Sequence, residues 1–238
     1  MSFTFNNISS DTKGVVVEKF PSRPIASKVR QTVTIPGRNG QLIYAGGAFY
    51  DNVTQVYECY MKGELDTEVA TVMAWLQSPN GYARLTDSYD KTHFREAMFM
   101  GGGEVASAFH EFGRASLEFS CKPQRWLLSG EIETSWSSEM KIFTNPTAFA
   151  AKPLIRVHGS GNITLTVDSS KIAITGLTTS KDIFIDCDSQ DFYNGTINMG
   201  NMVTLSGNFP VFKPGDNIIQ RTGGSSVTVY VTPRWWEL

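Results

Sequence analysis

Cysteine is scarce in this chain. Three residues, Cys59, Cys121 and Cys187, stand far apart in 238 positions. An odd count with no Cys-x-x-Cys pair argues against a disulfide framework and against a zinc site. Each thiol sits beside hydrophobic or aromatic neighbours, so it reads as a small buried side chain, and free thiols suit assembly in a reducing cytoplasm. Histidine is as rare: His93, His110 and His158 show no metal-ligand spacing. Neither sign of charge dominates. There are 21 basic and 23 acidic residues, divided 13 to 15 over residues 1–134 and 8 to 8 over residues 135–238. A protein that binds nucleic acid through its phosphates shows a basic excess, and none is present. No apolar run approaches the roughly 18 residues of a membrane span. The first residues lack the basic and apolar regions of a secretory signal. There is no P-loop, no G-x-G-x-x-G and no G-x-S-x-G; Gly101-Gly-Gly103 precedes Glu104, which would repel phosphate. With no catalytic constellation, metal site or cofactor motif, the expectation is a binding or structural protein and not an enzyme.

Turn residues and aromatics are plentiful: 21 Gly, 10 Pro and 15 Phe. That balance favours a mainly β protein over a helical bundle. Residues 31–35 alternate Thr with Val and Ile before the turn Pro36-Gly-Arg-Asn-Gly40, and residues 53–61 read as a strand. One helix is predicted from about Asp66 to Gln77, because Val69, Val72, Met73 and Leu76 form one apolar stripe. Asp66 is its N-cap, and Ser78-Pro-Asn-Gly81 ends it. Strands follow at 82–85, 94–100 and 115–121. The polar, aperiodic stretch 131–141 reads as a boundary, which gives domains 1–134 and 142–238 with a linker at about 135–141. Beyond it, strands at 154–158, 163–167, 171–175, 183–186, 202–205, 217–221 and 226–232 alternate with turn clusters, the pattern of a β-sandwich.

Two clusters invite a binding-site reading. Asp182, Asp186, Asp188 and Asp191 are dense enough for a calcium site, but their spacing misses the EF-hand pattern; the plainer reading is the polar end of a strand. Trp235-Trp236 reads either as a sugar-stacking platform or as bulk closing a sandwich. A third feature points to assembly. Residues 94–121 form two strand-like arms around a glycine-rich tip, long enough to lie on a neighbouring copy. Phe94, Phe99, Phe109, Phe112 and Phe119 would supply apolar surface, and Arg95 and Arg114 would set register across the contact. A head-to-tail contact repeated by rotation closes into a ring.

Five stretches in order resemble the distal tail protein (Dit) family of long-tailed bacteriophages. They are Ile35-Pro-Gly-Arg-Asn-Gly-Gln-Leu42; Met73-Ala-Trp-Leu76 with Gly81-Tyr-Ala-Arg-Leu85; Gly113-Arg-Ala-Ser-Leu-Glu-Phe-Ser-Cys-Lys-Pro123; Asn145-Pro-Thr-Ala-Phe149 with Ala151-Lys-Pro-Leu-Ile155; and Phe209-Pro210 through Pro214-Gly-Asp-Asn-Ile218, closing with Pro233-Arg-Trp-Trp236. The resemblance implies an N-terminal tail-tube-like β-barrel or sandwich domain with one helix and a long hairpin that embraces the next subunit. It implies a C-terminal galectin-like β-sandwich at the ring periphery. It also implies a hexameric ring at the virion tail tip, assembled in the host cytoplasm. The partners it implies are the tail tube protein, a tail-associated lysin or fibre protein and a receptor-binding protein. The alternative is a carbohydrate-binding module that aids host adhesion. The galectin sugar-reading set is absent, however: Asn145-Pro-Thr147 lacks the arginine, so no glycan affinity is expected of the sandwich.

Overall fold

The computed structural model describes residues 1–44, 49–62, 65–102, 106–109, 112–224 and 226–238. It divides by contacts into two compact units, Met1–Arg125 (with Leu238) and Trp126–Glu237.

The first unit is an antiparallel sheet curled around an aromatic core. Its strands run in the order Ile8–Ser9, Phe3–Phe5, Ala83–Asp87, His93–Gly102, Phe112–Cys121, Val53–Lys62, Val15–Val17. The curl brings the ends of this path together: the Val17 N–H donates to the Met1 carbonyl at 2.8 Å. Period-two alternation sends Val53, Tyr57, Cys59 and Met61 inward from one strand and Ala115, Leu117, Phe119 and Cys121 from the next. A register shift between Glu118 and Phe119 marks a bulge against the His93–Gly102 strand. The helix, Leu65–Leu76, presses Val72, Trp75 and Leu76 onto this core, with Val69 and Met73 beside them. The predicted stripe is therefore the packing face, and Trp75 extends it. Trp75 Nε1 donates to the Phe5 carbonyl at 3.2 Å, which satisfies its one polar atom. The Asp66 side chain lies outside the described residues.

The second unit is a two-sheet sandwich. One sheet has the order Thr134–Trp136, Thr228–Thr232, Leu154–His158, Ile183–Asp186, Asp191–Asn194, Ile197–Asn198. The other runs Met140–Asn145, Gly215–Gly223, Gly161–Val167, Ser170–Leu177, Val203–Ser206. The inward faces meet in a core of Ile155, Val157, Leu165, Ile172, Ile174, Ile185 and Val231, all fully buried. Buried asparagines hold the turns at one end. Asn217 Nδ2 donates to the carbonyls of Lys213 and Gly215, each at 2.8 Å, and Asn145 Nδ2 donates to the Phe149 carbonyl at 2.8 Å.

The expected linker at 135–141 is a correction. Thr134–Trp136 is a sheet strand paired with Thr228–Thr232, Met140–Asn145 is another, and the contact division falls earlier, between Arg125 and Trp126. The stretch looked structureless because only Trp136, Phe143 and Asn145 turn inward while Met140 and Ile142 face out.

Burial pushes all three thiols up to about 12. The thiolate is the reactive form. None of the three is therefore expected to react with a thiol reagent such as DTNB at pH 8 in the folded protein, and all three are expected to react in guanidinium. A fast-reacting fraction of one thiol per folded chain would contradict this packing.

Candidate functional site

The most exposed apolar segment of the first unit is a hairpin of its own. Gln31–Val33 pairs antiparallel with Leu42–Tyr44, and neither strand joins the main sheet. The turn between them includes Gly37 and Gly40 at φ of +82° and +78°, values that glycine adopts without strain. At the base, the Val29 N–H donates to the Phe49 carbonyl at 3.0 Å, the Asp51 N–H donates to Ser27, and the Lys28 ammonium lies over the Tyr50 ring. Its side chains have little to pack on: Ile25 is 92% exposed, Phe49 71%, Tyr44 66% and Ile43 58%. An isolated two-stranded ribbon is marginal in water, so such a surface calls for a partner. Residues 19–50 also carry five Lys or Arg and no acid, which gives the ribbon one sign of charge.

The residues predicted from sequence for this role are placed differently. Phe119 is wholly buried, and its ring meets the edges of Phe3, Phe5, Tyr57 and Phe99 at 5.1–5.7 Å. Phe99 is half-buried against the same core. The Phe94 ring carries the Arg84 guanidinium 4.0 Å above it. Arg95 is turned inward and donates to the carbonyls of Lys122 and Pro123; burial lowers its pKa. Arg114 is exposed and paired at 3.0 Å with Glu18 of the same chain. Phe109 and Phe112 face each other in register, and their side chains lie outside the described residues. The whole of Phe112–Cys121 pairs residue by residue with Val53–Lys62. This strand is an interior member of its own sheet, so the expected arm at 94–121 is built into its own unit, and the exposed hairpin is the one formed by Gln31–Val33 and Leu42–Tyr44. The alternation at 31–35 and the turn at 36–40 were legible; the return strand 42–44 was missed because it is three residues long.

Beneath the root of the hairpin lies a polar cluster. Gln55 Nε2 donates to the Ser22 carbonyl at 3.2 Å, and Phe20 meets the Tyr89 ring edge-on. Gln55, Tyr57, Asp87, Asp90, His93 and Arg95 help line a cavity of about 20 Å³. That is room for one water and far below the roughly 300 Å³ of a small-molecule site. Tyr57 Oη donates to Asp87, whose carboxyl is pushed up by burial against the lowering effect of that bond. Asp90 behaves oppositely. Burial disfavours its charge, but hydrogen bonds from His93, Arg125 and Thr92 outweigh this and hold its carboxyl well below the carboxylate range. Its folded-state pKa is depressed, so the stability it adds is full above the unfolded value of about 3.9 and is lost as pH falls through the folded value. Arg125→Gln is expected to cost most stability at pH 7 and progressively less as the pH is lowered from 4 to 2. Parallel urea titrations of the two proteins across these pH values check this; an equal loss at all of them would remove the ion pair as the cause.

In the second unit each clustered aspartate has its own partner. Arg156 Nη1 and His158 Nδ1 reach Asp182 at 3.0 and 2.6 Å, Arg234 grips Asp186 through both oxygens at 2.7 and 3.0 Å, Lys152 reaches Asp188 at 2.9 Å, and Asp191 accepts from Phe192 N–H. Among the described residues no three His, Cys, Asp or Glu side chains converge as metal ligands. Trp235 is buried in the sandwich core. Trp236 stacks on Phe149 at 4.6 Å and donates from Nε1 to the Ala150 carbonyl. The pair closes the sandwich.

No family model and no curated protein sequence matches the chain. Solved structures do. The phage SPP1 Dit protein, described as a paradigm of the hub adsorption apparatus of phages infecting Gram-positive bacteria, superposes with a TM-score of 0.76 at 14% identity, over 100% of this chain and 99% of that one. This chain has the Dit fold. Structures of the phage P2 baseplate in its activated conformation match more loosely. The calcium form gives a TM-score of 0.51 at 9% identity, over 92% of this chain and 90% of that one; the strontium form gives 0.54 at 9% identity over 97% of each. The Dit fold thus spans both units, with the exposed hairpin as part of the first.

Proposed function

We propose that this protein is a structural hub of a bacteriophage tail tip, in which six copies form a ring joining the tail tube to the host-adsorption apparatus. The observation that carries the reading is the full-length match to a hub protein at a TM-score of 0.76. In this reading the unit Met1–Arg125 builds the ring and the unit Trp126–Glu237 folds separately as a peripheral sandwich. The hairpin at 25–50 is the arm that lies on the neighbouring copy. The tail tube protein, a lysin or fibre protein and a receptor-binding protein would dock on the ring, which needs no active site. Assembly takes place in the host cytoplasm and the product resides in the virion tail. The carbohydrate-binding alternative loses the platform suggested for it, since Trp235 is core.

Negative-stain microscopy of the purified full chain is the test, with six-fold rings around a central hole as the expected view. The double substitution Ile43→Asp, Tyr44→Ser is expected to abolish the rings and leave a single chain of 26.3 kDa with an unchanged circular dichroism spectrum. Rings that survive the double substitution would move the contact off the hairpin. A wild-type chain that never forms rings would end the hub reading.

A further inference from the structure

The sandwich has one long unguarded edge. Met140–Asn145 pairs on one side with Gly215–Gln220, in the register Met140 to Gln220, Ile142 to Ile218 and Thr144 to Asp216. The Arg221 N–H donates to the carbonyl of Glu139, the residue opposite it. In an antiparallel pair this makes 139, 141, 143 and 145 the positions bonded inward, and it turns the N–H and C=O of 140, 142 and 144 to the open side. Ser138 Oγ caps one of these, the Met140 carbonyl. Among the described residues nothing covers Ile142 or Thr144. Natural edges are blunted by lysine, proline or brevity; here Lys141 lies in the strand on the face opposite Met140, Ile142 and Thr144 and Pro146 follows its end, but the outward side chains are Met140, Ile142 and Thr144, the first two 49% and 47% exposed. Ile218, next to Ile142 in the sheet, is 43% exposed.

We propose that this edge pairs with the same edge of a second copy about a two-fold axis through Ile142. The sequence is self-complementary in that register. Ile142 meets Ile142 of the partner subunit, Met140 meets Thr144, Lys141 meets Phe143 and Glu139 meets Asn145, so no like charges oppose each other. Both backbone groups of Ile142 are then used, and the two five-stranded sheets become one, with the exposed isoleucines in a continuous row across the seam. A contact of this kind is isologous and closes on itself. One strand pair buries less than the roughly 1,200 Å² of a stable interface, so the pairing is weak and concentration-dependent. It is independent of the ring contact made by the other unit.

Register-specific cross-linking tests it in the full chain. Ile142→Cys places two Cβ atoms across the axis at a Cα separation near 5.5 Å, within disulfide reach. Met140→Cys and Thr144→Cys each place their thiols opposite a different residue. Mild oxidation with diamide is expected to give a covalent dimer for Ile142→Cys at least tenfold faster than for the other two, and the buried native thiols supply a silent background. Ile142→Lys is expected to halve the mass measured by sedimentation at high protein concentration, whether the unpaired species is a ring or a single chain, with an unchanged melting curve. Equal cross-linking of all three variants, or a mass untouched by Ile142→Lys, would overturn the pairing.

Discussion

Phe119→Ala is expected to unfold the first unit at markedly lower denaturant, at a cost of about 3–5 kcal/mol, the range for removing a buried aromatic ring. The side chain is wholly buried, and four aromatic rings meet it. Deleting it leaves a void that Phe3 cannot fill without leaving its stacking on Tyr57 and Trp75. Phe94→Ala should cost far less, since that ring is half-buried under the Arg84 guanidinium. Equilibrium urea denaturation of the two variants separates these outcomes. Were Phe119 an interface residue, its loss would instead weaken assembly and leave the midpoint of the single chain in place.

The second large effect is expected at Arg221. Its guanidinium is buried in the sandwich and has no carboxylate in its hydrogen bonds. It donates to four backbone carbonyls: Ser138 at 3.2 Å, Gly224 at 2.6 Å, Val227 at 2.9 Å and Ser137 at 2.5 Å. Those bonds tie the 137–138 segment, on the way into the edge strand, to Gly224 and Val227. Arg221→Met keeps most of the aliphatic stem and removes every donor. A buried acceptor left without a donor costs about 1–3 kcal/mol when water cannot reach it; Ser137 and Ser138 are exposed and the Gly224 carbonyl keeps the Val227 N–H, so the loss centres on the Val227 carbonyl and a total of about 1–3 kcal/mol is expected. Arg221→Lys should recover part of it by serving one or two of the carbonyls. The melting temperature of each variant, followed by circular dichroism, is the measurement; a shift of only a degree or two would show that water replaces the guanidinium freely.

The parts of this fold that were legible in the sequence are those where packing follows a period. The helix showed itself because Val69, Val72, Met73 and Leu76 share a face, and the strand at 53–61 because alternate residues are apolar. Leu154–His158 and Ile183–Asp186 match the predicted spans residue for residue. What escaped was short or inverted. Phe3–Phe5, Val15–Val17 and Leu42–Tyr44 have three residues each, too few for a pattern. Met140–Asn145 displays its isoleucine and methionine outward. The expectation at 94–121 has a different cause. Ala115, Leu117, Phe119 and Cys121 alternate, which marks a buried strand face, but Gly101-Gly-Gly103 before them suggested the tip of two free arms. The exposed hairpin was half legible, since its turn stood out and its exposed side chains did not: exposure of Ile25 or Tyr44 depends on what the rest of the chain leaves uncovered.

The sandwich joins its beginning to its end. Thr134–Trp136 pairs with Thr228–Thr232, the Leu127 N–H donates to the Trp235 carbonyl, and the Arg234 N–H donates to Gly130. During synthesis this imposes a timetable. The first unit has all of its strands through Cys121 once they clear the ribosome, and can fold while translation continues. The second must hold its core open until the residues around Trp235 emerge, so a ribosome stalled anywhere in the last sheet strand would carry a finished first unit trailed by an unclosed sandwich.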